Sequence, residues 1–108
     1  MKNANVFIDV DLTMVDQNGK LLPGVRSGLA LLLEKGCHLY LWSTCGVDYC
    51  RNTAKAHKLE EFFEGYAAKP DIIVDDMPFT VLNPFHFDVN RDGRWERTAQ
   101  EILRKHID

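Results

Sequence analysis

The sequence predicts an α/β fold, a three-layer α/β/α sandwich around a mainly parallel sheet. Two observations predict it. Short apolar runs rich in β-branched and aromatic residues alternate along the chain with segments of helical periodicity, and polar clusters follow the apolar runs. Because 108 residues suffice for one domain but not for two, residues 1–108 are expected to form a single domain.

The N-terminal half predicts one strand–helix–strand unit. Residues 5–10 form an apolar run typical of a buried strand, and the Asn-Gly dipeptide within 13–22 predicts a small hairpin flap. Pro23-Gly24 opens a segment in which apolar residues recur at helical spacing until Lys35-Gly36, and this predicts a helix of about three turns that ends at Gly36 because glycine provides a left-handed cap. Residues 37–42 are expected to form the second strand.

The C-terminal half predicts the same alternation again. An amphipathic helix is expected over 47–59, a brief strand over 72–74 and a last edge strand within 79–89, where Pro84 interrupts it. A closing helix is expected over 94–106. The residues expected to face the core from the two helices are Cys50, Ala54 and Leu59 in the first, and Trp95, Ile102 and Leu103 in the second.

Composition excludes several classes of protein. A hydrophobic fraction of 45% and a charged fraction of 27% are typical of a soluble globular domain, and no apolar run approaches the ~20 residues of a membrane span. The N-terminus lacks the pattern of a secretory signal, so a cytoplasmic location is expected. The net charge of −3 predicts neither nucleic acid nor a membrane surface as partner. Three cysteines form no disulfide or zinc pattern and are expected to be reduced thiols: Cys37, Cys45 and Cys50.

Candidate catalytic residues follow the predicted strands. Asp9 and Asp11, with Thr13, come directly after the first apolar run. An Asp-x-Asp pair by itself is also typical of turns and of cation-binding loops. The polar residues that follow the later runs are Ser43, Thr44, Asp75 and Asp76, and Lys69 lies ahead of the run that the last two follow. Since ligands of parallel sheets bind at the carboxyl ends of the strands, these side chains are expected to form one site.

The chain resembles the haloacid dehalogenase (HAD) superfamily in four motifs that occur in the family's order, and the resemblance covers residues 5–76. The motifs are an apolar run followed by Asp9, Asp11 and Thr13, a strand that ends in Ser43, then Lys69, and the acidic pair Asp75-Asp76 after a strand. It implies an HAD-like core with a Rossmann-like sheet and no cap domain, because the spacing between the motifs leaves no room for one. It also implies that Asp9 is the nucleophile and Asp11 the general acid/base. Dehalogenases of the family lack the second Asp, so Asp11 indicates a phosphatase.

The resemblance further implies a phosphate site and a metal site. Ser43 and Lys69 would bind the phosphoryl oxygens, and Thr44 is the alternative to Ser43. The implied cofactor is Mg²⁺, which prefers carboxylate, phosphate and water oxygens. Its implied ligands are Asp9, Asp11, Asp75 and Asp76, and the choice between the last two as direct ligand stays open.

The expected activity is a Mg²⁺-dependent hydrolysis of phosphate monoesters through an aspartyl-phosphate intermediate. The phosphorylated substrate is small or macromolecular, and a homo-oligomer is one way to cover the open site. The alternative is a catalytically silent HAD-fold binding or regulatory module. A response-regulator receiver fits less well, because its phosphoacceptor is expected on a later strand than its acidic pair.

Overall fold

A computed structural model describes residues 2–77, 85–91 and 94–108, and it has a small α/β fold. Its three strands form one parallel sheet in the order β1-β2-β3. None of the helices in these residues is long and apolar enough to cross a membrane. The elements in chain order are β1 (Asn5–Asp9), α1 (Val25–Glu34), β2 (His38–Ser43), α2 (Val47–Ala56), a 3-10 turn (Glu60–Phe62), β3 (Gly65–Ala68), α3 (Trp95–Ile102) and a π-helical turn (Leu103–Ile107).

The two faces of the sheet differ in burial. Strand register places Ile8 opposite Leu41 and Phe7 opposite Tyr40, so alternate residues of both strands share a face. The face with Ile8 and Leu41 is buried in the core with the apolar residues of α1 and α2. Phe7, on the other face, is exposed and stacks on the half-buried Tyr40, with ring centroids 4.9 Å apart. The apolar residues of α1 and α2 therefore cover the face with Ile8 and Leu41, and no helix among the described residues is shown to cover the face of Phe7.

The hairpin flap and the first helix cap are confirmed. Val15 pairs antiparallel with Leu21, and the Asp16 carboxylate accepts the backbone amides of the turn that joins them. At the end of α1, Gly36 has a φ of +87°, and the Cys37 amide bonds back to the carbonyl of the last turn. This is the glycine-capped helix end that the sequence predicts.

The second helix ends earlier than predicted. It stops at Ala56, because Lys58 adopts a left-handed φ of +57° and the Leu59 amide bonds back to Ala54. Lys58 takes the position that Gly36 occupies at the end of α1. Because this residue is a lysine and not a glycine, the sequence does not indicate that the helix ends here. The predicted inward residues of this helix are all buried: Cys50, Ala54 and Leu59.

The third strand lies elsewhere than predicted. The strand expected over 72–74 is wrong, because β3 forms at Gly65–Ala68 and residues 71–77 are exposed and without strand pairing. Only residues 69–71 separate the end of β3 from Ile72. A further parallel strand needs a crossover of about a dozen residues or more, so this connection is too short to start one.

The closing helix is confirmed as α3, which packs against α1. Trp95 lies against Gly28 so closely that a Cβ there would sit 2.8 Å from the indole ring. Trp95 and Leu103 are buried and Ile102 is partly buried. The last predicted edge strand falls largely on residues 78–84, which lie outside the described residues, and 85–89 carry no strand.

Candidate active site

The end of β1 meets the end of β3 at one carboxylate–ammonium pair. Lys69 Nζ lies 3.1 Å from Asp9 Oδ1, and both side chains are about one-third exposed. The pairing of β2 with β3 causes this contact, because the Lys69 amide extends that pairing with a 2.9 Å bond to the Ser43 carbonyl. The Lys69 ammonium also lies 5.7 Å from the ring centroid of Trp42, the register partner of Asp9.

The loop after β1 is held in an unusual backbone conformation. Leu12, directly after Asp11, has a φ of +62°, which is rare for a bulky side chain and costs about 1–3 kcal/mol. Two side chains from the C-terminal segment hold this loop: Asn90 donates to the Leu12 carbonyl and the Trp95 indole donates to the Thr13 carbonyl, both at 2.7 Å. The α3 helix and the residues before it thus fix the Asp-x-Asp loop.

Asp9 has a second contact within the same loop. The Thr13 hydroxyl lies 3.4 Å from Asp9 Oδ2, at the long end of hydrogen-bond distances. Asp9 therefore faces Lys69 with one oxygen and Thr13 with the other. A carboxylate held on both sides has few rotamers left, which favours its use as a fixed nucleophile or ligand.

Asp11 is exposed and bonds to a tyrosine of α2. The Tyr49 hydroxyl donates to Asp11 Oδ1 at 2.5 Å. This bond, followed by desolvation and the negative charge of Asp11, raises the pKa of Tyr49 to about 12. Tyr49 was not predicted as a site residue, because its place on an amphipathic helix indicates only a half-exposed aromatic side chain.

Ser43 and Thr44 differ in burial. Ser43 is buried, and its hydroxyl oxygen accepts the Cys45 amide at 3.0 Å, whereas Thr44 is exposed. A hydroxyl that accepts one hydrogen bond keeps its own proton to donate. In β2 the Ser43 side chain lies on the face opposite to that of Trp42, and Asp9 is the register partner of Trp42.

A buried thiol lies beneath the site. Cys50 of α2 is fully buried and its Sγ lies 3.7 Å from the Ala67 carbonyl of β3. Burial, and then the negative charge of Asp9, raise the pKa of the Cys50 thiol. Cys50 therefore packs as a small apolar residue between α2 and the end of the sheet.

The described residues do not group the predicted acidic pair with Asp9 and Asp11 as a ligand set. Asp75 and Asp76 lie in the exposed segment 71–77, and the Met77 amide donates to Asp75 Oδ1 at 2.9 Å. This bond, with a further one from Asp76, lowers the pKa of Asp75. Within residues 2–77, 85–91 and 94–108, no three His, Cys, Asp or Glu side chains are grouped closely enough to hold a metal ion.

Comparison with known proteins adds no identification. No protein-family model matches the sequence, and no curated protein matches it either. Membership of the HAD superfamily therefore stays a prediction from four short motifs.

Proposed function

We propose that this protein is a Mg²⁺-dependent phosphatase that hydrolyses phosphate monoesters through a phosphorylated Asp9. The observation that carries the proposal is the 3.1 Å contact between Asp9 and Lys69, two residues that are 60 positions apart in the chain. A nucleophilic carboxylate beside a cation is the arrangement that phosphoryl transfer requires, because the incoming group is an anion. The order of the motifs supports the same chemistry.

In the proposed reaction, an Asp9 oxygen attacks phosphorus while the bond to the ester oxygen breaks. The leaving oxygen takes a proton from Asp11, which gives the alcohol and an aspartyl phosphate. Water then attacks the same phosphorus, Asp11 takes its proton, and phosphate leaves with the Asp9 carboxylate restored. Proton transfer of this kind contributes about 10²–10⁴-fold to a rate.

Lys69 would bind the phosphoryl group. Its ammonium lies next to the Asp9 carboxylate and the Trp42 ring. A phosphoryl group attacked by Asp9 would therefore have an oxygen close to this ammonium. Charge that develops on those oxygens is stabilised by a donor already in place. A hydroxyl at the end of β2 would supply a further donor; Thr44 is exposed there, whereas Ser43 is buried on the face of β2 opposite to that of Trp42.

Mg²⁺ fits the chemistry of this donor set. Asp9 and Asp11 place two carboxylates on one loop, and Mg²⁺ is commonly bound through one or two carboxylates, substrate phosphate and water. Asp9 would hold the ion with its carboxylate, and Asp11 would contribute an oxygen that does not carry the transferred proton; the ion would neutralise charge on the phosphoryl oxygens. Asp75 lies six residues after Lys69, and six extended residues span about 20 Å. Asp75 and Asp76 can therefore lie no farther than about this distance from Lys69. They are retained as additional ligands.

The test is hydrolysis of p-nitrophenyl phosphate by the purified chain, with Mg²⁺ and with EDTA. The Asp9→Asn variant is expected to lose on the order of 10³-fold or more in kcat, because the nucleophile is gone. Asp48→Asn is the matched control, since Asp48 is exposed on α2 and pairs only with Arg51 among the described contacts. It should behave as wild type.

Two outcomes would overturn the proposal. Equal turnover by wild type and Asp9→Asn would remove Asp9 from the chemistry. Beryllofluoride binding to the wild type without turnover of any phosphate ester would favour the alternative, a binding or regulatory module that keeps the site but does not hydrolyse.

A further inference from the structure

We propose that Tyr49 is a positioning residue, which holds the Asp11 carboxylate in the orientation needed to protonate the leaving group. The inference rests on the proposed function, in which Asp11 is the general acid/base. It adds a residue from α2 to a site otherwise built from the loop after β1 and the end of β3. The sequence motifs gave no role to this helix.

The contact is direct and joins two distant parts of the chain. The Tyr49 hydroxyl donates to Asp11 Oδ1 at 2.5 Å across 38 residues. Tyr49 lies near the start of α2, directly after the loop that follows β2. Parallel pairing of β1 with β2 brings this loop beside the Asp-x-Asp loop, since both follow the carboxyl ends of their strands.

The hydrogen bond differentiates the two oxygens of Asp11. Oδ1 is occupied by the phenol, so Oδ2 is left to carry the proton that moves to the ester oxygen. Asp11 is exposed, and an exposed Asp without a partner samples several rotamers. Tyr49 therefore reduces the rotational freedom of a group whose proton transfer depends on its orientation.

A second tyrosine in the chain provides a matched control. The Tyr40 hydroxyl also donates to a carboxylate, Glu64 Oε2, at 3.1 Å. Glu64 accepts from His38 as well, at 2.8 Å, near the start of β2 and therefore at the opposite end of the strand from Ser43. Tyr40→Phe removes the same hydroxyl from the same kind of bond, away from the site.

The experiment compares kcat/KM of wild type, Tyr49→Phe and Tyr40→Phe on two esters in saturating Mg²⁺. On glycerol phosphate, whose alkoxide leaves only when protonated, Tyr49→Phe is expected to lose about tenfold, the size of a hydrogen bond to a charged group. On p-nitrophenyl phosphate, whose phenolate leaves without a proton, the loss should be much smaller. Tyr40→Phe should match wild type on both esters.

A double-mutant cycle tests whether Tyr49 acts through Asp11. In an Asp11→Asn background, Tyr49→Phe should cause no further loss on glycerol phosphate, because the hydroxyl acts only through Asp11. Equal losses on both esters, or additive losses with Asp11→Asn, would show a structural role and overturn the inference alone. A wild type that hydrolyses neither ester would overturn the proposed function, and the inference with it.

Discussion

The end of β1 and the segment 71–77 carry the two acidic pairs of the predicted site, yet the fold treats them differently. Asp9 is fixed by Lys69 and Thr13, and its loop is held by Asn90 and Trp95. The segment 71–77 is exposed throughout. The position of an acidic motif in the fold therefore depends on the strand pairing and the connections before and after it. The β2–β3 pairing carries Lys69 to Asp9, and the short connection after Lys69 then prevents a parallel strand at 72–74.

The largest effect is expected at Lys69, which contacts Asp9 at the end of β1 and is proposed to bind the phosphate. Lys69→Gln should lower kcat on p-nitrophenyl phosphate on the order of 10²–10³-fold, because one preplaced donor to the developing charge is lost. Lys55→Gln, an exposed lysine of α2, is the control. An unchanged kcat in Lys69→Gln would place the phosphate elsewhere.

The same substitution in both regions tests their packing. Ile8 in β1 is 5% exposed, whereas Ile72 is 83% exposed. Ile8→Ala should lower the free energy of unfolding by about 3 kcal/mol, and Ile72→Ala by less than about 0.5 kcal/mol. Urea denaturation followed by circular dichroism measures both. A cost at Ile72 equal to that at Ile8 would mean that 72–74 pack as a core strand after all.

A smaller effect is expected from the acidic pair of the second region. Asp75→Asn should raise the Mg²⁺ concentration for half-maximal rate by about tenfold and change kcat little at saturating Mg²⁺, because Asp9 and Asp11 still hold the ion. Asp71→Asn, four residues earlier in the same exposed stretch, is the control. Loss of kcat that excess Mg²⁺ does not restore would show that Asp75 is as central as Asp9.

Much of the fold follows from local pattern. Two strands, three helices, the hairpin flap and the Gly36 cap are predicted because each is set by residues a few positions apart. The third strand was missed because Gly65 and Ala67 have weak strand propensity. Their small side chains leave room for the large aromatic residues of β2, because Tyr40 and Trp42 are their register partners.

The site was predictable only in part, for a related reason. The residues of the Asp-x-Asp loop follow an apolar run, so their place at an edge of the sheet could be inferred from the sequence, whereas Lys69 was assigned only by its place ahead of the acidic pair. The supporting contacts of Tyr49, Asn90 and Trp95 join residues 38 to 82 positions apart, and no local pattern encodes them. The strand predicted ahead of Asp75 is wrong because an apolar run carries no information about the length of the connection before it.

The most direct test of the account is to identify the residue that becomes phosphorylated. The chain is mixed with an excess of p-nitrophenyl phosphate and Mg²⁺, quenched in acid during turnover, reduced with borohydride and mapped by peptide mass spectrometry. Because borohydride converts an aspartyl phosphate to homoserine, the account predicts homoserine at position 9 and its absence when EDTA is present. Homoserine at Asp11 or Asp75, or release of phosphate with Asp9 unmodified, would contradict it.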